Sequence, residues 1–199
     1  MTEKKLKFIF IVSLLFSQLT FSKVIANEET SFNTWIYFDL GNTLIDTSNK
    51  DGFKYFSNSY QYVQKLKSQG FQVGLITNIP QTFGDNYEEK LKTLKAYVKK
   101  KWIGRLPFDW NQFDNIIIPL SDLERKPAPI LFSRALFLSN CPLVYFGEDK
   151  PEIIAAKSLG LASKLVSKNN FLEINFPSIA DLKKLIKEQF SHPHSIACD

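Results

Sequence analysis

The sequence predicts a doubly wound α/β domain, a parallel sheet with helices on both faces. Three observations lead there. Short β-forming runs alternate with helical patterns across residues 34–190. Those runs are apolar at successive positions rather than alternate ones, as in strands covered on both faces. Gly70 and Gly160 close two of the helical patterns, where a left-handed helix end favours glycine.

Taken in order, residues 35–40 give a first strand, 53–69 a helical pattern stopped by Gly70, and 71–77 (FQVGLIT) a second strand. Asp85 reads as the N-cap of a helix in which Tyr87, Leu91, Leu94 and Val98 share a face, with Lys92, Lys95 and Lys99 elsewhere on its surface. Residues 115–120 (NIIIPL) give a third strand, 129–139 a helix, and 143–147 (LVYFG) a fourth strand. Residues 151–159 give a helix closed by Gly160 and 163–166 a fifth strand. A last helix covers 178–190, with Ile179, Leu182, Leu185 and Ile186 facing inward.

Ahead of this domain, Lys4, Lys5 and Lys7 precede an apolar run at 8–21, and Val24 and Ala26 stand where a signal peptidase reads small residues. Residues 1–26 are therefore expected to be a signal peptide cleaved after Ala26, giving a secreted or periplasmic chain with no membrane span. The run contains Ser13, Ser17 and Gln18 and is shorter than the roughly 20 residues of a spanning helix. An uncleaved N-terminal anchor is the alternative. Residues 27–33 read as a linker and 191–199 as a flexible tail.

The chain carries a net charge of +5, of which residues 1–26 supply +3, leaving +2 on the other 173 residues. Most of the basicity thus belongs to targeting, which argues against general nucleic-acid binding. A chain of that length builds one domain with a sizeable core. Cys141 and Cys198 either pair, as an exported protein permits, or stay as two thiols. Neither lies in a CxxC or beside a candidate base, which speaks against thiol catalysis. His192 and His194 read as part of a polar tail rather than as metal ligands with Cys198.

Ligands of doubly wound sheets gather beyond the carboxyl ends of the strands. Asp39 follows the first strand, Thr77 and Asn78 the second, and Glu148 and Asp149 the fourth, while Lys126 and Pro127 precede the third helix. These residues are expected to converge.

Four segments then carry a resemblance: FDLGNTLID at 38–46, GLITN at 74–78, ERKPAP at 124–129 and YFGEDKPEIIAA at 145–156. In order and spacing they are similar to the motifs of the haloacid-dehalogenase-like (HAD) hydrolase superfamily, most of whose members are magnesium-dependent phosphatases. The resemblance implies a Rossmann-like HAD core and phosphomonoester hydrolysis. It implies that Asp39 attacks phosphorus and forms an aspartyl-phosphate. It implies further that Lys126 neutralises charge on the nucleophile and phosphoryl oxygens, that the Thr77 hydroxyl bonds a phosphoryl oxygen, and that Asn78 lies in the substrate site. The implied Mg²⁺ ligands are the Asp39 carboxylate, the backbone carbonyl of Gly41 and an acid of the fourth motif. That acid is Glu148 first and Glu152 second, or Asp149 if the loop register differs by one.

The commoner family pattern has a second Asp where this chain has Gly41, and that Asp protonates the leaving group and later activates water. Its absence leaves a phosphatase that relies on water, on Asp46 or on a good leaving group; a protein that lingers as phospho-aspartate; or a catalytically weak domain that binds a phosphorylated ligand or protein. Dehalogenation is a weaker reading, because relatives with that chemistry also lack the second Asp but generally carry a cap. Here residues 39–77 hold a loop and one helix. Residues 78–126 hold one helix, one strand and the segment KKKWIGRLPFDWNQ at 99–112. Neither stretch has room for a cap domain, so an open site is expected. An open site admits a large phosphorylated substrate, or a small one enclosed by a partner subunit, and the oligomeric state is left open. Lys99, Lys100, Lys101, Arg105, Trp102 and Trp110 could hold a phosphorylated polymer by charge and stacking. In the other reading the lysines complement a helix end and the aromatics tuck a loop onto the core.

Overall fold

The computed structural model describes residues 34–139, 142–169 and 172–190. The expected signal peptide at 1–26, the expected linker at 27–33, the expected tail at 191–199, Cys141, Cys198, His192 and His194 lie outside the described residues.

Five strands form one parallel sheet: β1 (Trp35–Phe38), β4 (Gln72–Ile76), β5 (Asn115–Ile117), β6 (Leu143–Gly147) and β7 (Ala162–Leu165), in the order β5-β4-β1-β6-β7. The remaining two strands, β2 (Ile45–Asp46) and β3 (Lys54–Tyr55), make a small antiparallel hairpin. The helices are α1 (Ser59–Ser68), α2 (Tyr87–Lys101), α3 (Ile130–Ser139), α4 (Lys150–Ser158) and α5 (Ile179–Phe190). From β1 the chain winds outward to β4 and β5, then returns to β6 and β7 on the other side of β1. That reversal opens a crevice at the carboxyl end of β1.

Burial explains the layering. Successive residues of each central strand enter opposite cores. Ile36, Phe38, Val73, Leu75, Val144 and Phe146 join Val63 of α1, Leu94 and Val98 of α2, and Leu182 and Ile186 of α5. On the other face, Tyr37, Ile76 and Tyr145 pack with Leu131 and Phe132 of α3 and Ile153 and Ala156 of α4. Gly74 is part of this packing, because a Cβ there would run into the buried Tyr37 ring.

Three sequence expectations need correction. Residues 53–58 are not helical, since β3 pairs with β2 and Phe53 bonds across to the end of α2, with Phe53 N donating to Lys101 O at 2.7 Å and Ile103 N to Phe53 O at 2.8 Å. Long-range pairing overrode the local period there. The stretch 39–77 thus holds a hairpin as well as a helix. The cap of α2 is Asn86, not Asp85: Asn86 Oδ1 accepts from Glu89 N at 3.0 Å, while the Glu89 carboxylate accepts from Asp85 N at 2.9 Å. Lys90 is also buried on the inward side of α2, where its Nζ donates to Gln81 O at 3.1 Å.

The segment 99–112 is pinned by its own rings. Trp102 lies against Tyr55 (5.0 Å between centroids) and Phe108 (5.6 Å), and Phe108 against Trp110 (4.5 Å). Those aromatics are spent on holding the loop to the hairpin, as the second sequence reading expects. No domain is inserted into the sheet among the described residues. Nor, among them, is any helix long and apolar enough to cross a membrane.

Candidate active site

The strand order brings the scattered motif residues to one edge. β1 lies between β4 and β6 with Phe38 in register with Leu75 and Phe146, so Asp39, Thr77 and Glu148 leave the sheet side by side. Asp39 is held at the strand tip by its own N–H, which donates to Phe146 O at 2.8 Å. Thr77 is fixed likewise by donation to Ile117 O at 3.1 Å, and its side chain is buried.

Lys126 arrives from the loop between β5 and α3 and is completely buried at its side chain. Its ammonium lies 2.8 Å from Asp39 Oδ1, 2.7 Å from Glu152 Oε2 and 2.8 Å from Tyr145 Oη. An ammonium has three hydrogens, and here each finds an acceptor. Tyr145 Oη in turn donates to Glu152 Oε2 at 2.7 Å. Burial, then the Asp39 and Glu152 charges, hold the Tyr145 phenol well above its usual range, so it stays a donor. The backbone of Lys126 is clamped on both sides by one amide: Asn78 Nδ2 donates to Lys126 O at 2.9 Å, and Lys126 N donates to Asn78 Oδ1 at 2.8 Å.

Of the two adjacent acids after β6, Glu148 turns its carboxyl toward the site. Its Oε2 accepts from Thr43 Oγ1 at 3.2 Å. Glu148 as a residue is exposed, like Asp149, but partial desolvation of its carboxyl, followed by the Asp39 charge and then Glu152, pushes its pKa up to about 7. Asp149 is exposed and begins α4, its carbonyl accepting from Ile153 N at 3.1 Å. Glu152, expected as a second metal acid, instead accepts from Lys126 and Tyr145. Burial pushes its pKa up, against the pull of Lys126 and with Asp39 adding to the rise. Asp46, the alternative proton donor, is buried in β2 and accepts from Ser48 N at 3.1 Å and Ser48 Oγ at 2.6 Å. Burial works to raise its pKa, but the Ser48 bonds and the Lys168 and Lys54 charges outweigh it and hold the carboxyl below the usual range.

Two participants were not singled out from sequence. Tyr145 reads in LVYFG as one more core aromatic, and its hydroxyl is the only signal that it needs a buried partner. Thr43 sits in FDLGNTLID without a role until Glu148 is folded against it.

No protein-family model matches the sequence, and no curated protein is similar to it. Among solved structures, an uncharacterized protein from Listeria monocytogenes serotype 4b is similar at 17% identity and a TM-score of 0.51, over 78% of this chain and 99% of that one. Weaker likenesses include a HAD family enzyme from Bacteroides thetaiotaomicron, solved with magnesium and inorganic phosphate (10% identity, TM-score 0.48, 75% of this chain and 98% of that one). Another is a haloacid dehalogenase-like hydrolase from Streptococcus pneumoniae (15% identity, TM-score 0.47, 78% and 91%). The first is a likeness of fold alone. In this chain the four motifs meet at the carboxyl edge of a sheet ordered β5-β4-β1-β6-β7. The fold is a Rossmann-like α/β core.

At this edge, the metal ligands expected from the sequence are the Asp39 carboxylate, the Gly41 carbonyl and the Glu148 carboxylate. Among the described residues no three His, Cys, Asp or Glu side chains form a metal-binding group. An all-oxygen set with two carboxylates fits Mg²⁺, which keeps several of its waters and takes few protein ligands.

Proposed function

We propose that the protein is a phosphomonoester hydrolase that works through an aspartyl-phosphate on Asp39. The observation that carries this reading is the Asp39–Lys126 pair at 2.8 Å at the carboxyl tip of the central strand. Oδ1 of Asp39 is engaged by Lys126, so attack on phosphorus falls to Oδ2. Lys126, itself braced by Glu152 and Tyr145, holds the nucleophile in place and meets charge that develops on the phosphoryl oxygens. Asn78 acts as a positioning residue through its clamp on Lys126. The Thr77 hydroxyl is the candidate donor to a phosphoryl oxygen. Asp39, the Gly41 carbonyl and Glu148 would hold Mg²⁺, which supplies charge neutralisation to the bound phosphate. Asp46 is already committed to Ser48, so departure of the leaving group and entry of water proceed without a side-chain acid at position 41.

We also propose that the chain is exported and cleaved after Ala26, on the pattern of Lys4, Lys5, Lys7 and the apolar run behind them. Intact-mass analysis of the protein recovered from the producing cell tests this: a first residue other than Asn27 refutes that cleavage.

The deciding experiment is hydrolysis of an activated aryl phosphate with and without Mg²⁺, beside Asp39→Asn. Turnover that requires both metal and Asp39 is expected. Folded protein without turnover above the variant would sink the reading and favour a module that binds a phosphorylated ligand.

A further inference from the structure

An apolar cavity of about 220 Å³ opens beside the site and shares Gly41, Thr77 and Asn78 with it. Its walls come from three separate parts of the chain: Phe53 before β3, Phe83 before α2 and Tyr97 of α2, with Leu94 and Val98 as floor. Tyr97 ties the wall together, with its ring 5.7 Å from Phe53 and 5.5 Å from Phe83, both edge-on or tilted. The Phe53 side is fixed by the two backbone bonds to Lys101 and Ile103, and Gly52 is required there because a Cβ would run into the Lys101 carbonyl.

We infer that this cavity receives the leaving group of the substrate and that the group is a single aromatic ring, so that the substrates are aryl phosphomonoesters. The inference rests on the phosphatase reading above and deepens it. An apolar cavity of about 150 Å³ holds benzene, so this one has room for one substituted ring, well short of a polymer. Rings meeting edge to face suit a further ring at similar spacing. Position and chemistry agree at Gly41. That residue lines the mouth of the cavity, and a Cβ on it would lie 3.3 Å from Thr47 Oγ1, another lining residue, narrowing the entrance. The missing side chain is also the missing proton donor. A phenol resembles the tyrosine side chain, with a pKa of about 10, and departs as aryloxide without help. In the step, the Asp39 Oδ2–phosphorus bond forms, the phosphorus–aryl oxygen bond breaks with its electron pair on that oxygen, and the aryloxide takes its proton from water.

The test has a binding arm and a turnover arm. With Mg²⁺ present, phenylphosphonate and methylphosphonate are titrated into the full chain by calorimetry, and phenyl phosphate and glycerol phosphate are compared as substrates. Phenylphosphonate is expected to bind at least tenfold more tightly, and Tyr97→Ala, at a half-exposed position, is expected to collapse that ratio toward one. Equal binding of the two phosphonates overturns the ring cavity and leaves the phosphatase reading standing. Binding of neither overturns both. Asp39-dependent turnover with glycerol phosphate used as well as phenyl phosphate overturns the leaving-group assignment alone. A preference that survives Tyr97→Ala in folded protein also overturns it, since the ring would then be held elsewhere.

Discussion

Replacing Lys126 with methionine removes an ammonium shared by three acceptors at 2.7–2.8 Å. The lysine side chain is 0% exposed, that of Glu152 7% and that of Asp39 13%, so water compensates little of the loss. Removing one partner of a buried pair costs about 3–5 kcal/mol. Two carboxylates lose the same partner here, which sets the expectation at the upper end of that range when both are ionised. The cost depends on pH with a definite sign. Burial already raises the Glu152 pKa, and without Lys126 it rises further. A carboxyl whose folded pKa exceeds its unfolded value binds its proton more tightly in the native state. Its favourable contribution is therefore complete below the unfolded value and is lost as pH rises through the folded one. The Lys126→Met penalty is thus expected to be smallest near about pH 5 and to grow toward about pH 8. Adding Glu152→Gln should recover part of it at the higher pH. Urea unfolding at both pH values, with slopes checked for two-state behaviour, measures this. A penalty below about 1 kcal/mol at the higher pH, or one that ignores pH, would refute the charge arrangement described here.

Three further outcomes are expected. Gly41→Asp adds a proton donor, with only the Thr47 side chain near the new Cβ; hydrolysis of an alkyl phosphate should rise by about 10²–10⁴ while an aryl phosphate gains far less, and equal gains would contradict the account of Gly41. In metal-free protein the Glu148 carboxyl, raised to about 7, makes the folded state bind more protons than the unfolded one between its ordinary value and about 7, so stability should fall as pH rises through that window; Glu148→Gln should flatten the profile, and calorimetric Mg²⁺ affinity should increase with pH as the carboxyl loses its proton. Gly74→Ala drives a methyl into the Tyr37 ring and should destabilise by about 1–3 kcal/mol in chemical denaturation; a neutral result would mean that the sheet yields at that point.

Much of the scaffold was legible because it is written in short windows. LVYFG reads as a buried strand and is one, and Gly70 and Gly160 both adopt the positive φ that ends a helix. The positions of Asp39, Thr77, Lys126 and Glu148 at strand ends and in a pre-helix loop were equally readable, since strand ends are where such folds gather ligands. Residues 53–58 were not, because Phe53 is held by Lys101 and Ile103, far along the chain. Glu152 was read as a metal acid from the family resemblance of the fourth motif, whereas its partners are a lysine and a tyrosine that only packing brings to it.

By itself the sequence determined the alternation of strands and helices, the doubly wound class and the chemistry-bearing side chains available at one edge, because period and turn chemistry act between near neighbours. Only the tertiary structure decided how those side chains are shared: Lys126 with Glu152 across 26 residues, Asn78 with Lys126 across 48, Thr43 with Glu148 across 105. It also decided that Phe53, Phe83 and Tyr97 enclose a cavity next to Gly41. Hydrogen bonds and ring contacts at such separations exist only once the strands have taken their places beside β1.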